Sequence, residues 1–128
     1  MVFTRRDKDA ALRASERRRR EDEAPRLSAV VPRLRALDIS FAAGTGSTAP
    51  ESIHKRRVVV ERAPALFEPP CSNPSCKGGG HDITYNVLAS LRHGEPSVSG
   101  EDVCRGSVGA APCGWVLKYQ TQARYEDA

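Results

Sequence analysis

Two stretches of the chain alternate between apolar and polar side chains, the pattern of a β-strand with one buried face. In the first, Leu37, Ile39 and Phe41 alternate with polar neighbours. In the second, the odd-numbered residues are predicted to share one face: Trp115, Leu117, Tyr119, Thr121, Ala123 and Tyr125. This face is expected to pack in the core, since the chain has few other large side chains. The alternative is an aromatic platform on which nucleic-acid bases stack.

Two further strands are predicted from shorter signals. The segment HKRRVVVERAPALF is expected to hold a strand centred on residues 58–60, after a flexible loop with the sequence AAGTGSTAPES. Pro64 indicates that the later part of this strand lies on a sheet edge or bends away. A short strand is expected from Ser97 to Val103, and it leads directly into Cys104.

One helix is predicted between these strands, in the segment ITYNVLASLRHG. Ile83, Val87 and Leu91 recur at four-residue spacing, so one face is apolar and is expected to pack on the sheet. Asp82 is the predicted N-cap, and Gly94 is the predicted glycine at the C-terminal end.

The N-terminal region, residues 4–24, is dense in charge and has no apolar stripe with which to pack on a core. A block of four arginines begins at Arg17, and three acidic residues follow it at once. One interpretation is an arm that contacts the phosphates of RNA or DNA. The other is a solvated helix or disordered tail whose charges largely neutralise each other. Residues 1–26 are therefore predicted to be a charged arm, helical or disordered, outside a domain of residues 27–128.

Composition limits the size of the core. The chain has 128 residues, 39% of them hydrophobic and 5% aromatic, which allows one small domain with a thin core. A core of this size usually needs an additional stabilising element, and a bound metal ion is a common one. The formal net charge of +4 permits an acidic partner such as nucleic acid without requiring one. Because there is no bilayer-length apolar run and no secretory signal, a cytoplasmic protein is expected.

All four cysteines fall in one stretch, as the pairs Cys71/Cys76 and Cys104/Cys113. Four residues separate the first pair, eight separate the second, and 27 lie between the pairs. In a reducing compartment such clusters are more often metal ligands than disulfides. Two disulfides in an exported domain are the alternative. Four thiolates close a tetrahedral coordination sphere, so the sequence predicts a structural Zn²⁺ site with these four ligands.

The turns around the cysteines support this prediction. The second cysteine of each pair follows a proline, Pro74 or Pro112, and precedes a glycine, Gly78 or Gly114. In such turns backbone N–H groups point at the thiolates, and glycine supplies the unusual dihedral angles.

The segment PCGW resembles the second half of a zinc knuckle, and residues 54–125 together resemble small bacterial zinc-ribbon or zinc-knuckle proteins. The resemblance implies an α+β, zinc-ribbon-like fold: an antiparallel sheet with one helix between two cysteine knuckles. It also implies a role in binding nucleic acid, ribosomes, polymerase or other proteins.

Histidine is the other residue type that can complete such a site. His81 follows Cys76 with four residues between them, a spacing found in some zinc knuckles. Since four cysteines already fill the site, His81 is expected to cap the helix or to support a ligand. His54 and His93 are expected to be surface residues.

Three catalytic or nucleotide-binding motifs are incomplete. A zinc deaminase needs HxE followed by PCxxC; residues 93–95 match the first part, but Val116 replaces the second cysteine of the latter. A thiol redox enzyme needs CxxC, which is absent from the sequence. The segment KGGGHD lacks the GK[ST] ending of a P-loop, and the metal turn explains its glycines better than a phosphate cradle does. No enzyme is predicted.

The predicted function is a non-catalytic zinc-binding module whose partner is nucleic acid or a ribonucleoprotein or transcription complex. The expected contacts are basic residues of the arm and of the second strand: Arg17, Arg18, Arg19, Arg20, Lys55, Arg56, Arg57 and Arg62. The alternative is a protein–protein adaptor, or a small subunit of a larger assembly, with a purely structural zinc. Convergence of the basic residues on one face would favour nucleic acid, and a neutral, apolar face would favour the adaptor.

Overall fold

The computed structural model describes residues 5–45, 50 and 52–126. Residues 1–4 of the predicted arm lie outside the described ranges, and so do residues 46–49 and 51 of the predicted loop. Helices and strands follow one another in this order: α1 Arg5–Glu23, α2 Leu27–Val30, β1 Leu34–Gly44, β2 Ser52–Val58, α3 Thr84–Arg92, β3 Ser97–Val103, β4 Ser107–Val108, β5 Ala111–Pro112 and β6 Val116–Tyr125.

The main sheet has four antiparallel strands in the order β2–β1–β6–β3. At the centre of the sheet, Ser40 of β1 lies opposite Lys55 of β2 on one side and Gln120 of β6 on the other. Strands β4 and β5 form a separate two-stranded hairpin. The α+β class predicted from the sequence is thus confirmed, with one helix, α3, between the two cysteine pairs.

One face of the sheet is buried, as the alternating pattern predicted. Leu37 and Ile39 of β1 and Leu117 and Tyr119 of β6 are buried there, and they form one cluster with the apolar side of α3. That side of the helix carries Ile83, Val87 and Leu91, each no more than 2% exposed. Burial of these side chains removes apolar surface from water and is the main force that holds helix and sheet together.

Both ends of α3 lie next to the residues that were predicted to cap them. Asp82 lies one residue before the N-cap position, which is occupied by Ile83, yet its carboxylate accepts a hydrogen bond of 3.1 Å from the Thr84 N–H. Gly94 has φ = +72°, and its N–H bonds to Leu91 O at 3.0 Å. The next N–H, from residue 95, bonds to the carbonyl of residue 90 at 3.1 Å, which completes a Schellman motif.

Strand β2 lies earlier than predicted. It ends at Val58, because the chain turns there: the Arg62 N–H bonds to Val59 O at 3.0 Å. Val60 is buried beneath this turn rather than in a strand, while Val59 is 55% exposed. The chain leaves the sheet after Val58, ahead of Pro64, in agreement with the inference that the later part of the predicted strand bends away.

Within the described part of the arm, helix α1 covers Arg5–Glu23, and residues 24–26 are not helical. Its C-terminal turn is tied to the rest of the chain by Arg20, whose Nε and Nη2 both donate to the carboxylate of Glu68 at 3.0 Å. Exposed pairs of this kind contribute little to stability, because water and salt screen the charges and two long side chains must be ordered. Across the described ranges, no helix combines the length and apolar character needed to cross a membrane.

Candidate metal centre and basic surfaces

The four cysteines converge as the sequence predicted. Their Sγ atoms all lie within 4.8 Å of one another, so the group can hold a metal ion. The Sγ atoms of Cys71 and Cys113 are 3.7 Å apart, and those of Cys76 and Cys104 are also 3.7 Å apart. Each of these contacts joins one cysteine of the first turn to one of the second. All four are free thiols, so the alternative of two disulfides does not describe this structure.

The sheet and two loops position these cysteines. Cys104 follows β3 and Cys113 precedes β6, and these strands are hydrogen-bonded neighbours, so the hairpin β4–β5 returns the chain to the same point. The loop that carries the first pair is attached to this hairpin by two bonds between Lys77 and Ser107, N–H to O at 2.8 and 3.0 Å. These bonds fix the separation of the two turns.

Hydrogen-bond donors point at the sulfurs, as expected for thiolate ligands. The Gly106 N–H donates to Cys104 Sγ at 3.4 Å, and the Asn73 side-chain amide donates to Cys113 Sγ at 3.6 Å. Charge-assisted bonds of this kind favour the deprotonated, metal-binding form of a thiol.

The pKa values of the thiols differ with these surroundings. Burial raises the pKa of Cys71 above its usual range, despite a bond from the backbone N–H of Asn73, and it raises the pKa of Cys76 to about 11. Burial also acts to raise the pKa of Cys113, but bonds from the Trp115 N–H and the Asn73 amide outweigh it, and the pKa is lowered. The positive charge of a bound metal ion would favour the deprotonated form of Cys71 and Cys76, and its binding would release protons.

Two glycines make the close packing of the turns possible. A Cβ atom on Gly79 would lie 2.3 Å from Cys76 Sγ and 2.5 Å from Cys104 Sγ, and one on Gly106 would lie 2.5 Å from Cys76 Sγ. No side chain fits at these distances. Gly78 and Gly114, to which the sequence pattern gave turn roles, have φ of +67° and +68°. Gly106 was not predicted from the sequence to have a role in this packing.

His81 is not part of the cysteine cluster. Its side chain is 1% exposed, and its Nδ1 lies 2.9 Å from Asp102 Oδ2. Within the described residues its Nε2 is buried and has no hydrogen-bond partner. A buried polar atom left unpaired costs about 1–3 kcal/mol, so it calls for an explanation. His81 does not cap α3, because Asp82 bonds to the first turn instead.

The structure does not bring the eight predicted nucleic-acid contacts onto one surface. Arg18 and Arg19 are exposed on α1, and Arg62 is exposed in the turn after β2. Side chains alternate along β2: Arg56 lies opposite the buried Ile39, whereas Lys55 points to the other face of the sheet.

Of the eight predicted contact residues, two form ion pairs with carboxylates and two others line the same cavity. Arg57, which shares a face with Lys55, pairs with Asp38 at 3.1 Å, and Arg20 is held by Glu68. Arg17 and Arg56 do come together, on the wall of a cavity of about 520 Å³ between α1 and the buried face of the sheet.

A different basic surface emerges from the strand pairing. The open face of the sheet, opposite α3, carries basic residues from two strands: Lys55, Arg57, Lys118 and Arg124. Its carboxylates are Asp38 and Glu101, and polar Gln120 and Gln122 lie between the charges. Lys118 and Arg124 were not among the nucleic-acid contacts predicted from the sequence, although the alternation of β6 places both on the polar side of that strand.

Comparison of the chain with protein-family models, with curated proteins and with solved structures gave no match. A zinc-ribbon fold is therefore not confirmed. What the structure shows is a four-cysteine cluster next to an antiparallel sheet.

Proposed function

We propose that the protein is a non-catalytic binding module in which a structural zinc ion holds the cysteine turns and the open face of the sheet binds nucleic acid. The observation that carries the proposal is the open face itself, with its excess of basic over acidic side chains. The zinc stabilises the fold and takes no part in the binding.

Zinc is the metal that best suits the ligand set. Four thiolates are soft ligands, and a four-cysteine site leaves no open position for water or substrate, which is the pattern of structural zinc. With Zn–S bonds of about 2.3 Å, a regular tetrahedron has sulfur–sulfur edges of about 3.8 Å. The separations of 3.7 Å within the pairs Cys71/Cys113 and Cys76/Cys104 are close to that value.

The chemistry of the open face favours nucleic acid as the partner. Arg57 and Lys118 face the carboxylates of Asp38 and Glu101, at 3.1 and 4.0 Å. Lys55 and Arg124 are exposed, and neither has an ion pair within the part of the chain that the structure describes. Lysine and arginine neutralise phosphates, and glutamine and serine side chains bond to phosphate and sugar. A polar, cationic sheet surface offers both kinds of contact.

The arrangement of exposed apolar residues gives less support to the adaptor. Ile53 is 68% exposed and Val103 is 53% exposed, but they lie on the two opposite edge strands of the sheet. They do not form one patch, and a protein–protein interface usually has a continuous apolar centre.

The test is a titration with single- and double-stranded RNA and DNA at several salt concentrations. Lys118→Gln combined with Arg124→Gln is expected to weaken binding and to reduce the slope of log affinity against log salt by about one unit for each lost phosphate contact. Arg92→Gln, at the exposed end of α3, is the matched control and is expected to bind like the unmodified protein.

Two outcomes would contradict the proposal. One is the absence of binding to all four nucleic acids at low salt, and the other is unchanged binding by the double variant. Either result, with zinc content intact, would favour the adaptor. Arg18→Gln combined with Arg19→Gln measures the arm separately, because both side chains are exposed on α1.

A further inference from the structure

We infer that a polar cavity beside the cysteine cluster is a binding site for the phosphate group of a phosphomonoester. The cavity has a volume of about 400 Å³. Four parts of the chain line it: the C-terminal half of α1, residues 68–69, the segment 78–82 that begins with the glycine loop Gly78–Gly80, and the end of β3 with the residues that follow. The inference does not rest on nucleic-acid binding by the open face.

Arginines supply the positive charge of this site. Arg17, Arg20 and Arg105 all line the cavity. Arg20 is occupied by its two bonds to Glu68, but neither Arg17 nor Arg105 has an ion pair among the residues that the structure describes. A guanidinium group matches the geometry of phosphate oxygens and donates two parallel hydrogen bonds to them.

Three carboxylates also line the cavity, and each already has a partner. Glu68 bonds to Arg20, Asp102 Oδ2 lies 2.9 Å from His81 Nδ1, and Asp82 accepts the N–H of Thr84 at 3.1 Å. Arg17 and Arg105 are therefore the cationic groups of the cavity that are free to bind an anion, while Asp82, whose partner is a neutral N–H, keeps its negative charge.

The glycine loop adds backbone donors. Gly78, Gly79 and Gly80 follow one another along the cavity wall, and within the described ranges none of their N–H groups makes a hydrogen bond. Gly78 has φ = +67°, and successive N–H groups around such a residue form a concave anion-binding nest. Gly79 is needed for the cysteine packing, but that packing does not use these donors.

His81 is a further lining residue with an unmet hydrogen bond. Its side chain is almost fully buried, its Nδ1 is held by Asp102, and its Nε2 has no partner within the described residues. Because Nε2 is closed off from solvent, His81 forms part of the wall of the site and is not counted among its donors. Two arginines, the glycine loop and His81 thus line one polar space.

The volume of the cavity indicates a ligand larger than an inorganic phosphate ion. A water molecule occupies about 30 Å³ in the liquid, so the space holds a phosphate together with part of the group to which it is esterified. The ester can be a small molecule, such as a nucleoside monophosphate, or the 5′-phosphorylated end of a nucleic acid. Both present the same terminal phosphate to the arginines.

The test uses the full chain, purified without chelator and with its zinc content measured. Inorganic phosphate, adenosine monophosphate, and one oligonucleotide with either a 5′-phosphate or a 5′-hydroxyl are titrated by calorimetry. Loss of a charge-assisted bond corresponds to a change in affinity of about 10- to 100-fold. Arg17→Gln and Arg105→Gln are each expected to weaken phosphate binding by about that factor. Arg18→Gln, the next residue of the same helix, and Arg92→Gln on α3 are the matched controls and are expected to change it less than about twofold.

Two results would overturn the inference: no saturable binding of any phosphorylated probe, or an equal loss in all four variants, which would indicate only a general charge effect. Arg17 lies on α1, away from the cysteines, so its variant remains informative even if Arg105→Gln disturbs the turn after Cys104. Discrimination between the 5′-phosphate and 5′-hydroxyl oligonucleotides, with weak binding of the monophosphate, would identify a nucleic-acid end as the ligand. Comparable binding of the monophosphate would identify a small molecule.

Discussion

The helix–sheet core and the cysteine turns are held together by different forces. In the core, formed by the main sheet and α3, Leu37 and Val87 are fully buried and Leu91 is 1% exposed. In the cysteine turns, residues 71–80 and 104–115, no residue of the first segment is buried, and Cys104 and Gly106 are the buried residues of the second. Hydrophobic burial therefore stabilises the core, whereas the turns depend on hydrogen bonds and, in the function proposed above, on a bound metal ion. Damage to one region is expected to have a different signature from damage to the other.

Loss of one thiolate is expected to have the largest effect. In zinc-finger peptides, metal binding contributes an apparent 10–16 kcal/mol, roughly, to the folded state. Cys113→Ser is therefore expected to abolish stoichiometric zinc and to expose the N–H groups of Lys77 and Ser107 to hydrogen exchange. The Val87 N–H, within α3, is expected to remain protected. Elemental analysis and exchange followed by mass spectrometry measure both effects.

Treatment of the unmodified protein with a chelator is the control, and it is expected to reproduce the same exchange pattern. If the variant loses its metal without any change in exchange, the turns are held by something other than coordination.

Leu91→Ala tests the other region. Truncation of a buried leucine leaves a cavity, and it is expected to lower the free energy of unfolding by about 2–5 kcal/mol. Tyr85, on the same helix, is 84% exposed, so Tyr85→Ala is the matched control and is expected to change it by less than about 0.5 kcal/mol. Denaturant unfolding with zinc present measures both. Equal effects of the two substitutions would mean that α3 does not pack on the sheet through this face.

Gly79→Ala separates metal affinity from overall stability. Its Cβ would lie 2.3 Å from Cys76 Sγ, so the turn must shift, and a loss of about 10- to 100-fold in zinc affinity is expected, as for other groups that support ligands. Gly109 has φ = +61° but open space around it, so Gly109→Ala introduces backbone strain without the clash. Competition with a chelator of known affinity measures both variants, and an equal loss would attribute the effect to strain.

Asp82→Ala is expected to have the smallest effect. Removal of a carboxylate that bonds to the first turn of a helix costs about 1 kcal/mol. Asp82→Asn keeps the acceptor and is expected to recover most of that loss. Urea unfolding of the two variants measures the difference, and an Asn variant as unstable as the Ala variant would contradict the assignment of this bond as a cap.

Hydrophobic periodicity along the chain predicted much of the core. Strands β1 and β6 and helix α3 were predicted from hydrophobic periodicity, because one face of each lies on the buried side of the fold, whereas β3 was predicted from a shorter signal. Strand β2 was misplaced because residues 53–57 are all exposed at a sheet edge. Alternation carries no signal there, and pairing with β1 decides which residues form the strand.

The cysteine cluster was equally accessible from sequence, but its surroundings were not. Residue type, together with the grouping of the cysteines along the chain, predicted which four side chains come together. The contact between His81 and Asp102 joins residues 21 positions apart, and nothing in their local sequence indicates it. The contribution of Arg17 to the polar cavity depends on how α1 lies against the glycine loop, which is a property of tertiary packing.

The position of β6 in the sheet has a consequence for how the chain folds. It lies between β1 and β3, and it meets β1 across a separation of 80 residues at Ser40 and Gln120. Closing so long a loop is entropically costly, and contacts of this range slow folding. Until β6 is synthesised, β1 and β2 form a hairpin with an unpaired edge, which is a site for mispairing with other chains. A ribosome that pauses after the cysteine turns therefore leaves the nascent chain at its most aggregation-prone point.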